Sequence, residues 1–407
     1  MIVEKKYIKI ITYGNFPFGG ASANLLRYFS LALAHSNNDV EIVLPTGNYI
    51  GHKIDVNSKR NGNIENVKYK HLCFKNHPLN YLGKLLDILC GFTFPIFYLY
   101  KECFKNKLDK IILYDTFFVP TLLFLFIKVT LRKKLIIIVP DLYEKPKAKL
   151  LSFELIKWYD FYIGLKLLSR YADGYIVVST YLKKYINDTL KISKPVQIIP
   201  SLIDPQKFIV TDSKPFIKNK ITIGYAGTPS RRDGVMDLIE SFSVLNKKYP
   251  NIHLLIIGDV VDTKKTLLPE LNDYALKFGV TEDITFTGLV SYTEIPKLLN
   301  SCQILALIRP SGEFAEAGFP TKLGEYFACK KPVVITSVGD IPFYFKNKEH
   351  AIIVSPEDLL SIISGFELLL NDEKLSHHIS ENAYNWMNLN LNYKKLSSKL
   401  DIFINRI

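Results

Sequence analysis

The sequence predicts an α/β protein of two domains, each built on a parallel β-sheet covered by helices. Its 407 residues exceed the usual size of one domain, about 100–200 residues. Apolar runs of strand length alternate with segments of helix length, which is typical of parallel strands joined by helical crossovers. The alternation stops at a polar, proline-containing stretch, residues 211–220, and then starts again. This stretch is therefore predicted to link two domains of similar architecture.

The apolar runs give the predicted order of elements in both halves. In the first half we expect a helix at 21–34 and strands at 8–13, 40–44, 109–114, 134–139 and 174–178. In the second half we expect a helix at 235–248 and strands at 221–226, 253–257, 284–287, 304–308 and 332–336. The predicted domains are residues 1–205 and 206–385, with a C-terminal helix at 386–407 that returns to the first domain.

Two segments of the first half are unusually apolar, residues 89–100 (LCGFTFPIFYLY) and 117–131 (FFVPTLLFLFIKVTL). Both are shorter than the roughly 20 residues that a membrane-spanning helix needs. We interpret them as buried helices of the first domain. The alternative is that part of this surface enters a membrane.

The positive charge of the chain lies entirely in its first half. Residues 1–210 hold 30 Lys and Arg against 16 Asp and Glu, a net charge of +14, whereas residues 211–407 have a net charge of −1. A basic surface beside apolar segments attracts anionic lipids, so we expect a cytoplasmic protein held at the inner face of the cell membrane. Solvated lysines without a partner are the alternative. Nucleic acid is not expected, because no motif of a nucleic-acid-binding fold occurs.

No metal or cofactor site is predicted. The five cysteines have neither metal-ligand nor redox spacing, and the eight histidines include no His-x-x-x-His pair. No Asp-x-Asp motif occurs either. We therefore expect a metal-independent protein without a cofactor.

A glycine-rich loop, residues 14–20, lies between the first predicted strand and helix. Backbone amides at such a helix start can approach a phosphate, and small residues after Gly20 suggest a close approach. The loop is not Gly-x-Gly-x-x-Gly, so dinucleotide binding is weakly supported. An ordinary tight turn is the alternative.

The second domain opens with a comparable loop, residues 224–234 (GYAGTPSRRDG). Arg231 and Arg232 lie there after a predicted strand, where they could neutralise a diphosphate, because the guanidinium group is a permanently charged fork for phosphate oxygens. The alternative is that both are surface arginines.

The most informative stretch is residues 313–328 (EFAEAGFPTKLGEYFA). Gly318 permits a close backbone approach, and the following amides begin a predicted helix that could hold a phosphate. Lys322 adds a positive charge, and Glu325 could accept hydrogen bonds from ribose hydroxyls. Glu316 and Glu325 could also be solvated helix acids.

Two further acids follow the predicted strand at 134–139 in the first domain. Asp141 and Glu144 could orient an acceptor hydroxyl, because carboxyl ends of parallel strands form ligand sites. A helix N-cap is the alternative reading for this segment.

These stretches together resemble the family 4 glycosyltransferases of the GT-B fold, and the segment GFPTKLGEYFACKKPVV resembles the branch of bacterial capsule, exopolysaccharide and O-antigen clusters. Similar segments occur along nearly the whole chain, including residues 16–43, 170–179, 199–204 and 284–290. The resemblance implies two Rossmann-like domains whose parallel sheets face each other across a cleft. It also implies metal-independent, anomer-retaining transfer of a sugar from a nucleotide diphosphate donor.

The resemblance also implies roles for particular residues. Arg231, Arg232, Lys322 and Glu316 would be catalytic, and Glu325 would bind the ribose. Donor contacts are further implied for Gly20, Gly227, Val290, Gly318, Phe319, Pro320, Thr321 and Leu323. Two positions depart from the family pattern. The first motif glutamate would fall at Ala317, beside Glu316, and residues 114–115 replace a histidine of the first domain.

The resulting hypothesis is a front-face transfer in which arginines, lysine and amides stabilise the leaving diphosphate, and a donor phosphate oxygen takes the acceptor proton. The donor would be a UDP-sugar, with a GDP-sugar next. The acceptor would be a glycan or a polyprenyl-diphosphate-linked glycan of a cell-surface polysaccharide. Alternatives are a nucleotide-sugar epimerase of the same fold and a non-catalytic nucleotide-binding scaffold. A nicotinamide-dependent oxidoreductase is least expected.

Overall fold

The computed structural model describes residues 5–48, 59–114, 116–143, 145, 152–211, 213–260 and 266–407. The chain divides into two compact units. The first unit comprises Met1–Leu202 and Leu396–Ile407, and the second comprises Ile203–Lys395. Both units are α/β domains built on a mainly parallel sheet, as the alternation of apolar runs predicts.

The first unit holds an eight-stranded sheet in the order β3-β4-β2-β1-β5-β6-β7-β8. Seven strands are parallel, and only β3 runs antiparallel, against β4. The strands are β1 (Tyr7–Ile11), β2 (Asp39–Leu44), β3 (Asn61–Ile64), β4 (Val67–His71), β5 (Lys110–Tyr114), β6 (Lys134–Val139), β7 (Gly174–Val177) and β8 (Val196–Ile198). The central strands are buried along almost their whole length, because helices cover both faces of a parallel sheet.

Three strands of this sheet were not predicted. β3 (NGNI) is the edge strand, and β4 (VKYKH) lies next to it and carries two lysines, so neither has a continuous apolar run. β8 has only three residues, which is too short for a periodic signal. The predicted parallel sheet is confirmed, and β3 adds an antiparallel strand at its edge.

The helices of the first unit are α1 (Ala21–His35), α2 (Tyr81–Phe104), α3 (Phe118–Leu131), α4 (Phe153–Ile163), α5 (Thr180–Lys184) and the C-terminal α14 (Tyr393–Arg406), most of which belongs to this unit. α1 buries a stripe of apolar residues against the sheet. α14 is held by a buried hydrogen bond, in which the Asn38 amide donates to the Asp401 carboxylate at 2.8 Å.

The prediction that the apolar segments 89–100 and 117–131 form buried helices is wrong for much of their surface. α2 extends over 24 residues, and its buried positions are Asp87, Gly91, Pro95 and Leu99. Large apolar side chains on its other side are exposed, for example Leu82 at 67% and Phe97 at 72%. α2 is also long and apolar enough to cross a membrane by length and composition.

Polar side chains fasten α2 to the first sheet. Lys9 of β1 is buried and its ammonium lies 2.5 Å from Glu41 of β2 and 3.1 Å from Glu102 of α2. The Tyr98 hydroxyl also donates to Glu41, at 2.6 Å. One buried lysine therefore joins two strands and a helix through two carboxylates.

The second unit holds a six-stranded parallel sheet in the order β11-β10-β9-β12-β13-β14. The strands are β9 (Ile221–Ala226), β10 (Ile252–Ile257), β11 (Ile284–Phe286), β12 (Ile304–Leu307), β13 (Val333–Thr336) and β14 (Ile352–Val354). All but β14 lie within one residue of the predicted strands. Their apolar side chains form one continuous core with Phe242 and Phe366 from helices of this unit.

The helices of the second unit are α6 (Val235–Lys248), α7 (Leu268–Lys277), α8 (Ile295–Asn300), α9 (Glu313–Ala317), α10 (Thr321–Ala328), α11 (Ile341–Tyr344), α12 (Leu359–Asn371) and α13 (Glu373–Asn390). The expected helix at 386–407 is instead the end of α13 followed by α14. The first unit ends at 202 rather than 205 and resumes at 396 rather than 386. Residues 203 and 392 form a bridge within the second unit, which places 211–220 inside that unit and not at the boundary.

Lys9→Met tests the buried network of the first unit. It leaves the Glu41 and Glu102 carboxylates without their cation, so we expect the free energy of unfolding to fall by about 3–5 kcal/mol. Urea unfolding of this unit can be followed through Trp158 fluorescence in a Trp386→Phe background.

Lys68→Met is the matched control, because Lys68 pairs with Asp39 on a side chain that is 56% exposed. We expect a change of less than about 1 kcal/mol there. Equal destabilisation by both variants would contradict the role given to the buried network.

Candidate active site

The strand order of the second sheet marks where a ligand site can form. β9 lies between β10 on one side and β12 on the other, so the chain turns in opposite directions after β9 and after β12. In open parallel sheets, ligands bind beyond the carboxyl ends of strands at such a switch point. The loop 227–234 follows β9, and the segment 308–320 follows β12 and leads into α10.

Two glycines allow these segments to approach closely. Gly227 has φ +146°, and a Cβ there would lie 2.1 Å from Cε of Lys322. Gly234 has φ +66°, and a Cβ there would lie 1.5 Å from the carbonyl oxygen of Ile308. A side chain at either position would push the β9 loop away from the residues that follow β12.

A polar cluster is packed into this junction. The Lys322 ammonium lies 2.5 Å from Asp233 and donates to the Tyr225 hydroxyl at 2.8 Å. The Tyr225 hydroxyl is 2.9 Å from the same Asp233 oxygen, and the Arg309 guanidinium is 3.4 Å from the other. Asp233 thus lies between two cations whose side chains are each less than one-fifth exposed.

The charges of the cluster shift the pKa values of its members. Burial opposes ionisation of Asp233, but the charges of Lys322 and Arg309 outweigh it and hold the pKa of the carboxyl below its usual value. Burial lowers the pKa of Lys322, while the Asp233 charge opposes that shift. With one carboxylate against two cations, the cluster carries an excess of positive charge.

Arg309 is the functional candidate that the sequence analysis missed. It is 7% exposed, and its Nη1 has no hydrogen-bond partner among the residues that the structure describes. The guanidinium groups of Arg309 and Arg232 lie 4.8 Å and 5.0 Å from the ring centroid of Phe314. Its position directly after the buried strand β12 was the available signal, the same one that identified the arginines after β9.

The two adjacent arginines of the β9 loop have different surroundings. Arg232 stacks on Phe314 near Arg309. Arg231 is 70% exposed and forms an ion pair with Glu270 of α7. A short 3₁₀ turn at Arg231–Asp233 directs the two side chains apart, so the structure brings Arg232 to the cluster and gives Arg231 another partner.

α10 begins beside the cluster and is fixed by its own tyrosine. The Tyr326 hydroxyl accepts from the Ala226 amide at 2.7 Å, which ties α10 to the end of β9. Phe319 and Leu323 are buried, and Phe319 packs on Tyr344 with centroids 6.0 Å apart. Their side chains therefore support α10, whereas the backbone from Gly318 through Pro320 to Thr321 leads into the start of the helix.

Glu325 lies one turn into α10 beyond Lys322. Burial raises the pKa of its carboxyl to about 7, against the opposing charge of Lys322. The carboxylate has no hydrogen-bond partner in the part of the chain that the structure describes. It is thus a half-buried acceptor that a ligand hydroxyl could reach.

The remaining predicted site residues of the second unit include Glu316, Gly318 and Val290. Glu316 on α9 is exposed and accepts from the Gly339 amide at 3.2 Å, and Gly318 has the ordinary φ of −90°. Val290 is half-buried in the loop after β11.

In the first unit, Gly20 caps α1 with open space where a Cβ would lie, and Asp141 accepts from the Leu142 amide at 2.8 Å. Glu144 and Asp115 lie outside the described residues.

No three His, Cys, Asp or Glu side chains are placed to hold a metal ion within the described ranges. Metal independence remains a prediction of the sequence.

Asp233→Asn tests the cluster. At pH 7 it removes the anion that balances Lys322 and Arg309, so we expect the second unit to lose about 3–5 kcal/mol of unfolding free energy. Because the folded-state pKa of Asp233 lies below its unfolded value, the stabilisation exists above pH 4 and is lost as the pH falls through the folded pKa. Trp386 fluorescence during urea unfolding, in a Trp158→Phe background, measures both effects.

Asp237→Asn is the matched control on α6. Burial, with Glu240 and Glu357, raises the pKa of Asp237, so loss of its charge should leave stability unchanged or slightly higher. If Asp233→Asn behaved like this control, the Asp233 pairs would contribute nothing measurable.

Comparisons with known proteins agree with this geometry. Residues 208–386 match the family model of glycosyl transferases group 1. The capsular polysaccharide biosynthesis glycosyltransferase CapM of Staphylococcus aureus is 24% identical over 238 residues. That alignment covers 56% of this chain and 60% of the relative, so this chain spans less than two thirds of the relative's length.

Two solved structures share the fold over nearly the whole chain. Sucrose-phosphate synthase from Thermosynechococcus elongatus has a TM-score of 0.73 at 15% identity, covering 99% of both chains. Anabaena Alr3699/HepE, in complex with UDP, has a TM-score of 0.68 at 14% identity, covering 99% of this chain and 100% of the other. Residues 208–386 are therefore similar to the group 1 glycosyl transferases, in a chain that has the GT-B fold.

Proposed function

We propose that this chain is a retaining, metal-independent glycosyltransferase that takes its sugar from a nucleotide diphosphate donor. The base of the donor would be uridine, with guanosine next. The acceptor would be a glycan, or a polyprenyl-diphosphate-linked glycan, of a cell-surface polysaccharide at the inner face of the cell membrane. The UDP complex of HepE and the capsular role of CapM support the donor and the process.

The observation that carries the proposal is the positive cluster at the start of α10, with the unpartnered Glu325 one turn beyond it. An ammonium has three N–H donors. Asp233 and Tyr225 take two donors of Lys322, which leaves the third for a phosphate oxygen. Arg232 and the amides at the start of α10 would complete the diphosphate site.

The chemistry follows from the charge that develops on the leaving nucleoside diphosphate. Fixed cations and amides stabilise that charge without reorganising during the reaction. A donor phosphate oxygen would take the proton of the acceptor hydroxyl as that hydroxyl attacks the same face that the diphosphate leaves. The Glu325 carboxylate would hold the two ribose hydroxyls and so fix the nucleoside relative to Lys322.

Nucleotide binding in the presence of EDTA is the first test. We expect UDP or GDP to raise the unfolding midpoint, because a ligand that binds only the folded state stabilises it. ADP and NAD should raise the unfolding midpoint less than UDP or GDP does. A response to NAD alone, or to none of the four, would contradict the proposal, and conversion of the sugar nucleotide without an acceptor would indicate the epimerase instead.

Arg232→Ala should reduce kcat/KM at least about 100-fold with the fold intact, since it removes a guanidinium from the diphosphate site, a loss of about 2.7 kcal/mol in transition-state stabilisation. Arg231→Ala is the matched control, because Arg231 pairs with Glu270 at the surface. Initial rates with a sugar nucleotide whose nucleoside diphosphate binds the protein measure kcat/KM for both variants. Equal losses in the two variants would remove the distinction between these arginines.

The raised pKa of Glu325 predicts a pH dependence of nucleotide affinity. The carboxylate form accepts hydroxyl hydrogen bonds, and with a pKa of about 7 deprotonation between pH 6 and pH 8 should increase UDP affinity by up to about tenfold. Isothermal titration calorimetry measures this change.

Two comparisons isolate Glu325 from the titration of the phosphates. Glu325→Gln should lose the rise with pH, and 2′,3′-dideoxy-UDP, which has the same phosphates without ribose hydroxyls, should show none in the wild-type protein. An unchanged pH profile in Glu325→Gln would rule out this role.

A further inference from the structure

The exposed surface of α2 and α3 has the opposite polarity to that of an ordinary surface helix. The side of α2 that contacts the domain carries Asp87, Gly91 and Glu102, and its buried apolar residues are Pro95 and Leu99. The opposite side carries Leu82, Leu86 and Phe97. A soluble helix places its apolar stripe on the core and its polar side in water, and α2 does the reverse.

α3 packs beside α2 and continues this surface. Its exposed residues fall at three- and four-residue spacing, which is one face of a helix, and they are Val119, Leu122, Phe126 and Val129. We call the exposed side chains Leu82, Leu85, Leu86, Leu89 and Phe97 of α2, with these four of α3, the α2–α3 apolar face. Apolar patches of this extent mark sites of association.

Basic side chains border the α2–α3 apolar face. Residues 79–134 contain nine Lys and Arg and four Asp and Glu. Of the acids, Asp87 is fully buried and Glu102 is paired with Lys9. Exposed cations remain in or near the ends of the helices, and they are Lys84, Lys101, Lys105, Lys107 and Arg132.

The C-terminal end of α2 combines both features. Ile96, Phe97, Tyr100 and Phe104 form a shallow, open apolar surface there, with Lys101 and Lys105 beside them. Apolar side chains next to two ammonium groups suit the boundary between acyl chains and anionic headgroups.

The contacts of α2 decide how it can meet a membrane. Asp87 accepts from the Gly47 amide at 3.0 Å and lies 2.7 Å from His77, and Glu102 pairs with Lys9 fifteen residues further along. A helix crossing the bilayer would have to break these contacts and place both carboxylates in hydrocarbon, where unpaired charges are costly. A helix lying in the plane of the interface keeps every one of them.

We propose that the α2–α3 apolar face inserts in the plane of an anionic bilayer, with α2 lying along the interface and not crossing it. The rim of lysines and arginines favours anionic lipid over a second copy of this chain, because a symmetric dimer through this face would bring its two positive rims together. This inference specifies the membrane contact of the proposed function, but lipid binding itself requires no sugar transfer.

Vesicle co-sedimentation of the full chain tests the proposal. We expect binding to phosphatidylcholine vesicles containing 30 mol% phosphatidylglycerol, at least tenfold weaker binding to pure phosphatidylcholine, and weakening by 0.5 M NaCl. The triple variant Leu82→Ser/Leu86→Ser/Phe97→Ser should bind anionic vesicles at least tenfold more weakly than the wild type. Lys101→Gln/Lys105→Gln should reduce the preference for phosphatidylglycerol.

The matched control replaces equally exposed apolar side chains of the second unit, Leu276→Ser/Phe343→Ser/Leu360→Ser, which are 70–75% exposed. It should bind vesicles like the wild type. Unfolding midpoints of both triple variants confirm that they fold. Equal vesicle binding by the wild type and the α2 variant would overturn the proposal, and so would a dimer that forms without lipid and dissociates in the α2 variant.

A membrane-impermeant thiol reagent added outside the vesicles distinguishes in-plane insertion from a crossing helix. Tyr81→Cys and Phe104→Cys, at the two ends of α2, should both react more than the wild type, and protection of one end alone would overturn in-plane insertion. The nucleotide-dependent shift in unfolding midpoint is measured on the same variants. If the wild type binds vesicles but no nucleotide, the result contradicts the proposed function and still supports the proposed membrane contact.

Discussion

The ion pair between Lys322 and Asp233 is the contact on which the arrangement of the second unit's site depends. It joins α10, which follows β12, to the loop that follows β9. Both side chains are largely removed from water, so each needs the other. The pair can form only because Gly227 leaves room for the stem of Lys322 and Gly234 lets the loop approach Ile308. The ion pair therefore depends on the backbone conformation at both glycines.

The cluster around this ion pair contains more basic than acidic side chains. Asp233 balances one charge, while Lys322 and Arg309 contribute two, and Arg309 keeps a buried nitrogen without a partner among the described residues. The Glu325 carboxylate, one turn further along α10, can accept hydrogen bonds. A nucleoside diphosphate offers phosphate oxygens to the cations and ribose hydroxyls to this carboxylate, in one molecule. This complementarity is the physical reason to connect the site with a nucleotide-sugar donor.

In the first unit, polar contacts attach a helix whose apolar side chains are mostly exposed. In α2, carboxylates and a tyrosine fasten the helix to the sheet, and the apolar side chains are left outside. The anchoring side chains and the exposed ones alternate with helical spacing, so the helix cannot turn to bury its leucines without breaking the Lys9 network. The exposed apolar side is thus a consequence of the buried polar one.

The sequence by itself determined the fold class and the strands with continuous apolar runs, and it predicted site residues that directly follow strands or lie in α10, such as Lys322 and Glu325. It did not reveal β3 and β4, which have no continuous apolar run, or β8 and β14, which have three residues each. The tertiary structure alone decided which of two adjacent arginines joins the cluster, and which side of α2 meets the sheet. Those choices depend on partners far along the chain, Phe314, Glu270 and Lys9, and spacing within one segment carries no information about them.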